Sequence, residues 1–196
     1  MTLYVQAVAT VRELLDAARA AGEPEPTAMT LATVDAHGRV SARIVLLKQL
    51  DERGAVFFTN GDSDKAAQLA AHPQAALCLH WKMLRDGIQV RIEGSVERTG
   101  DAESDAYFAT RPRDSQIGAW ASLQSQTLPA RADLDARIAQ FEKQFAGQPV
   151  PRPPHWGGYR LVPDLIEIWY GQRARLHERV RYERAGERWA QRLLYP

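Results

Sequence analysis

Apolar positions recur at helical spacing at the start of the chain. Tyr4, Val8, Val11, Leu15 and Ala18 fall on one face, which predicts an amphipathic helix over residues 4–21, ended by the GEPEP stretch. The period then changes. Residues 27–34 (TAMTLATV) read as a strand, 35–38 as a turn, and Arg39 to about Lys48 as a second strand. Residues 51–54 turn again into 55–59. Turns this short carry no parallel crossover, so the segment reads as an antiparallel meander. Ser63 is placed to cap a short helix that ends at Ala71, before Pro73. Strands are expected over 75–81 and 89–97, and helices over 101–110 and 133–146. The second of these helices carries the stripe Leu134, Ile138, Phe141 and Phe145. QPVPRPP (148–154) is a rigid internal connector, too short to separate domains. Strands over 158–161, 165–170 and about 176–183 follow, and a turn at Ala185–Gly186 leads into 189–193.

Roughly eight short strands with interspersed helices predict a mainly β fold with peripheral helices. The meander favours a closed or split antiparallel barrel, one domain over 1–196 with residues 1–22 as a helical addition. No GxGxxG follows the first strand and no GxxxxGK[ST] occurs, which argues against the dinucleotide-binding fold and the P-loop.

Charge narrows the partners. The net charge is +1, from 25 basic and 24 acidic residues, whereas coating nucleic acid or anionic membrane needs a large basic excess. Local basic clusters still suit small anions. Cys78 is the only cysteine, so no intramolecular disulfide forms, and the chain reads as cytoplasmic. The histidines are scattered without ligand spacing, so no metal site is expected. The N-terminal segment carries acids and lacks the apolar core of a signal peptide, and no run approaches the ~20 apolar residues of a membrane span.

Four segments hold polar residues that a core does not need. In Arg43-Ile-Val-Leu-Leu-Lys48 a cation stands at each end of an apolar strand. Alternation puts the two on opposite faces, so a shared site requires a bulge or a Lys48 beyond the strand end. Asn60–Lys65 is a loop that opens a helix, where free N–H groups suit a phosphate or simply an ordinary cap. In YFATRPRDSQIGAW, Tyr107 and Arg111 are four apart and share a helix face, while Ser115 follows the break at Pro112. Hydroxyls and a guanidinium that converge make a phosphate clamp; a solvated helix end is the alternative. In the last segment Arg175, His177 and Arg179 alternate with Leu176, Glu178 and Val180. On a strand those three point one way, towards an anionic partner or towards water.

RIVLLK, the SxKA loop, QVRIEG, YFxxRPxxSQIGAW, QS, WGGYR and WxxGxxxRLHxR stand in this order over about residues 27–196. Together they resemble the pyridoxamine 5'-phosphate oxidases. The resemblance implies an FMN-binding split barrel, a homodimer with flavin at the subunit interface, and oxidation of pyridoxamine or pyridoxine 5'-phosphate to pyridoxal 5'-phosphate. Oxygen would be the acceptor and hydrogen peroxide the by-product. Matched by position, it implies flavin contacts at Arg43, Ile44, Val45, Leu46, Leu47 and Lys48, at Phe58, Thr59 and Lys65, and at Gln89, Gln124, Ser125, Trp169 and Arg179. It places Lys48, Tyr107, Arg111 and Ser115 on the substrate phosphate. Arg175 and His177 fall on the substrate ring, where catalysis would occur.

Three features depart from the family pattern, one being a short N-terminus without the basic segment that precedes the first helix in many members and can cover the substrate. Asp64 stands where an arginine is usual, and Arg85–Ile88 is about two residues longer. A carboxylate aimed at the flavin phosphate would repel it. Asp64 is therefore expected to face outward at the helix start, leaving the phosphate to Arg43, Lys65 and Ser125, with help from Arg179. Two other readings share the barrel: a flavin oxidoreductase of phenazine-type biosynthesis, and a non-catalytic flavin- or haem-binding barrel.

Overall fold

The computed structural model describes all 196 residues. Helix α1 (Leu3–Ala20) starts at Thr2, whose hydroxyl accepts from the Val5 N–H, and buries Val8, Val11, Leu14 and Leu15. The antiparallel meander follows as β1 (Ala28–Val34), β2 (Val40–Leu46), β3 (Gln49–Asp51) and β4 (Gly54–Asn60). Next come α2 (Asp64–Ala71), β5 (Gln74–Trp81), β6 (Ile88–Arg98), α3 (Asp101–Ala109), α4 (Arg113–Ala121) and α5 (Arg131–Gln144). The chain ends with β7 (Trp156–Tyr170), β8 (Glu178–Ala185) and β9 (Arg188–Leu194).

All nine strands form one curled antiparallel sheet in the order β2-β1-β5-β6-β7-β4-β3, and β8 and β9 branch off β7. The predicted mainly β class with peripheral helices holds. Some elements differ from expectation, two of them with a clear cause. Residues 158–161 and 165–170 belong to one 15-residue strand that runs through Pro163. The missing proline N–H is tolerated because the register shifts between Glu93 and Gly94, opposite Pro163. Gly94 is needed there, since a Cβ would stand 2.0 Å from the Val162 carbonyl. The helix α4 escaped prediction because only Ile117 and Ala121 are buried along it, too few to mark a period.

The main core fills the curl, with Met29, Leu31, Phe57, Leu77, Leu79, Trp81, Ile92 and Ile166 fully buried. A smaller core of Phe108, Ile117, Phe145, Val150 and Trp156 fixes the helices against one end of the sheet. Ile138 and Phe141 of the predicted stripe pack on this smaller core. No helix is long and apolar enough to cross a membrane.

Candidate active site

Where the helices meet the sheet, a cavity of about 640 Å³ opens, lined by 18 residues. Lys48, Lys65 and Arg111 are its charged groups, and no carboxylate lines it. Lys48 lies past the end of β2 and lines the cavity without Arg43, so the two do not share it. The Leu47 N–H donates to the Thr27 carbonyl and the Lys48 N–H to Val56, so the chain crosses from β1 to β4 at this point. Ile44, Val45 and Leu46 form the adjoining wall.

One end of the cavity rests on aromatic rings. Phe58 stacks on Tyr107 at 4.2 Å and on Trp156 at 5.2 Å. The Arg111 guanidinium lies 4.8 Å from the Trp156 ring centre, and Lys48 Nζ 5.7 Å from that of Tyr107. The helix α3 ends at Ala109, so Arg111 does not share a face with Tyr107 as the spacing suggested. It sits in the turn before α4, held by its N–H to the Phe108 carbonyl. Burial pushes its pKa down, opposed by Tyr107. Its Nη1 is buried without any hydrogen-bond partner in the chain. Ser115 occupies the first turn of α4, whose N-terminus brings free N–H groups and a positive dipole end to the same place.

At the other end Lys65 Nζ donates to Gln124 Oε1 at 2.7 Å and to the hydroxyls of Thr59 and Ser63 at 3.1 Å. Burial, with the Arg43 charge, lowers the Lys65 pKa, and Asp64 opposes this. Asp64 is exposed in the first turn of α2, and its backbone N–H donates to Ser125 Oγ at 3.1 Å. Ser125 itself has φ 72°.

Other expected contacts stand elsewhere. Leu47 is buried. Arg43 turns from the cavity, donating to the Leu31 carbonyl, Thr33 Oγ1 and Gln68 Oε1. Gln89, Trp169 and Arg179 are cross-strand neighbours on β6, β7 and β8. Arg179 gives two hydrogen bonds, at 2.8 and 3.0 Å, to Glu167, a buried carboxylate that also takes Arg181 and Arg91. Arg175 and His177 do not lie on a strand. Residues 173–175 form a helical turn in which Ala174 and Arg175 have φ 55° and 60°, and β8 begins only at Glu178. The alternation argument therefore fails for this pair, because seven loop residues follow β7. His177 packs on Trp169 with ring centres 4.4 Å apart.

Several site residues had no assigned role in the sequence: Trp156 under Arg111, Asn60 and Ser122 in the cavity wall, and Glu167. Glu167 was signalled by a lone acid in the apolar run LIEIW. The two groups, cavity and β7–β8 loop, share no lining residue.

Residues 14–145 match the family model described as pyridoxamine 5'-phosphate oxidase, and 156–196 the pyridoxine 5'-phosphate oxidase C-terminal dimerisation region. A pyridoxine/pyridoxamine 5'-phosphate oxidase of Xanthomonas euvesicatoria pv. vesicatoria is 57% identical over 99% of this chain and 98% of its own. One of Myxococcus xanthus is 55% identical over 94% and 88%. Among solved structures, PhzG from Burkholderia lata, complexed with tetrahydrophenazine-1-carboxylic acid, superposes with TM-score 0.91 at 33% identity, over 96% and 92% of the chains. An FMN-binding protein of Nostoc punctiforme related to pyridoxamine 5'-phosphate oxidase shares the fold, with TM-score 0.76 at 18% identity over 100% and 99% of the chains. By these matches, and in keeping with its basic cavity and curled sheet, this chain belongs to the pyridoxamine 5'-phosphate oxidase family.

Proposed function

We propose that this chain is a cytoplasmic, homodimeric, FMN-dependent oxidase that converts pyridoxamine or pyridoxine 5'-phosphate to pyridoxal 5'-phosphate. The observation that carries this reading is the buried, unpartnered Arg111 Nη1 in a cavity with three cations and no carboxylate. A buried guanidinium with a free N–H wants an anion. Lys48, Tyr107 and Ser115 line the cavity with it, so a phosphate monoester fits that end. The residues also fit a flavin. The cavity lies within the ~300–1,000 Å³ usual for ligand and cofactor sites. Lys65, Thr59 and Gln124 offer a cation and polar groups at its second end, beside the Ile44–Leu46 wall.

When bound, FMN supplies the redox chemistry: hydride acceptance from C4' of the substrate and reduction of O2 to hydrogen peroxide. This chain's residues bind and orient. The phosphate clamp fixes one end of the substrate, and the aromatic stack beneath it keeps Arg111 and Tyr107 from shifting. Arg175 and His177 lie outside the cavity on the 171–177 loop, within the segment that matches a dimerisation region. In a homodimer the loop of one copy closes the cavity of the other, so each site draws on both chains.

The second reading is a phenazine-type oxidoreductase, supported by the close superposition on PhzG. The phosphate clamp and the 57% relatives, against 33% for PhzG, favour the vitamin reading. The test is spectroscopic. Protein loaded with FMN should bleach without oxygen on adding pyridoxamine 5'-phosphate and recover on aeration with release of peroxide. Bleaching by dihydrophenazine acids alone would favour the second reading, and no flavin uptake would defeat both.

A further inference from the structure

The 171–177 loop contains a hydrogen bond that no role described so far uses. The backbone N–H of Gln172 donates to Nδ1 of His177 at 3.1 Å. A peptide N–H only donates, so Nδ1 accepts and carries no proton. A neutral imidazole then holds its single hydrogen on Nε2. We infer that the loop fixes His177 as the Nε2–H tautomer, so that its free edge offers a hydrogen-bond donor and not a proton acceptor.

The geometry around the ring supports a fixed arrangement. One face packs on Trp169, at 4.4 Å between ring centres with 41° between planes. The loop is braced at its start, where the Gly171 N–H donates to the Gly87 carbonyl at 2.8 Å. Gly171 approaches this turn so closely that a Cβ would stand 2.1 Å from the Asp86 carbonyl oxygen. The loop also closes on itself, with the Leu176 N–H donating to Arg173 O at 3.2 Å. The longer Arg85–Ile88 segment thus acts as the brace of the loop that carries His177. Protonating Nδ1 would set two donors against each other and break the lock. Nε2 makes no hydrogen bond within the chain, so it is the ring's free polar atom.

This inference rests on the oxidase reading for its ligand: the acceptor opposite Nε2–H is a lone pair on a ring-bound oxygen or nitrogen of the substrate. His177 then holds a substrate atom in place, and the group that takes a proton during oxidation is another one.

The test has a readout independent of turnover. Long-range proton–nitrogen correlation on the flavin-loaded protein, with ¹⁵N-labelled histidine and His177→Asn to assign the signals, should show the hydrogen on Nε2 and a bare Nδ1. A hydrogen on Nδ1, or on both nitrogens at neutral pH, overturns the inference. Gly171→Ala should keep the fold by circular dichroism but move His177 to a mixture of tautomers; an unchanged Nε2–H state would remove the brace from the argument. In binding, asparagine places an acceptor near Nδ1 and glutamine an amide N–H near Nε2. His177→Asn should weaken pyridoxamine 5'-phosphate binding about 10-fold, with His177→Gln recovering most of it. Equal losses would refute the donor role. If the wild type shows Nε2–H but does not bind pyridoxamine 5'-phosphate, the oxidase reading fails while the tautomer stands.

Discussion

Arg111 shows what a single residue contributes and what its neighbours must supply. Its guanidinium lies on the Trp156 ring with one N–H unpartnered, so it is preorganised for an anion. Charge-assisted hydrogen bonds contribute roughly 1.5–3 kcal/mol each. Arg111→Ala should raise the apparent Michaelis constant for the phosphorylated substrate about 10- to 150-fold, with flavin absorbance retained. Arg111→Lys should restore only part, because a point charge lacks the planar fork that stacks on Trp156. Steady-state kinetics on both variants check this, and unchanged constants would move the phosphate elsewhere. Asp64 calls for a smaller number. It is exposed, and its charge supports protonated Arg43 and Lys65. Because solvent screens it, Asp64→Arg should tighten FMN binding only about 2- to 5-fold, with steeper salt dependence. Titration of apoprotein at two ionic strengths measures both. The surplus of cations was legible in sequence, and Lys48, Tyr107, Arg111 and Ser115 do meet in one cavity. The partners of Arg43 were not legible. Thr33 and Gln68 lie 10 and 25 positions away, and no period along a chain records which polar side chain will face which.

At the scale of elements, strands with an alternating pattern were readable and the pieces that break pattern were not. The loop after β7 looked like strand because Arg175, His177 and Arg179 alternate with other residues. The two left-handed residues Ala174 and Arg175 end that pattern, and neither is a glycine that would announce it. Such conformations cost about 1–3 kcal/mol each and gather at functional sites. The base of this hairpin is held by Glu167. Its burial raises the carboxyl pKa, but the hydrogen bonds from Arg179 and Arg181 and the Arg91 charge outweigh this, so the net shift is downward from 4.5. A lowered folded pKa means stability that is complete above the ordinary value and lost as pH falls through the folded one. Glu167→Gln should therefore cost about 2 kcal/mol at neutral pH, since three partly exposed arginines lose their shared negative charge and one of its two acceptor oxygens becomes a donor. The gap between variant and wild type should narrow as pH falls below 4.5 and close only once the folded carboxyl is protonated. Denaturant midpoints at neutral and acid pH decide this, and a gap that stays constant would mean that folding does not shift the Glu167 pKa.

For the whole molecule the question is what covers β2. It is a sheet edge, and its outward row is apolar: Val40 is 72% exposed, Ile44 63% and Leu46 37%. Unguarded apolar edges invite another chain, and natural proteins place lysine or proline there when they stay apart. Ile44 and Leu46 also line the cavity, so whatever covers the row closes the site. The alternation of RVSARIVLL was visible in sequence, but which face stays outside depends on where the sheet curls, and that is decided by distant contacts. A second copy is the partner proposed here, because the cavity lacks Arg175 and His177 while the region carrying them matches a dimerisation segment. Val40 gives the cleanest probe, since it belongs to the row but not to the cavity. Burying one valine stabilises by about 1.5–3 kcal/mol, and in a two-fold dimer each change counts twice. Val40→Lys should thus raise the dimer dissociation constant roughly 10²- to 10⁴-fold while leaving circular dichroism unchanged. At micromolar concentration the variant should sediment as a monomer, lose flavin colour and lose activity, and all three should return together as concentration rises. A monomer that keeps its flavin and full activity would show that one chain completes the site by itself. A dimer as tight as wild type would place the interface away from β2.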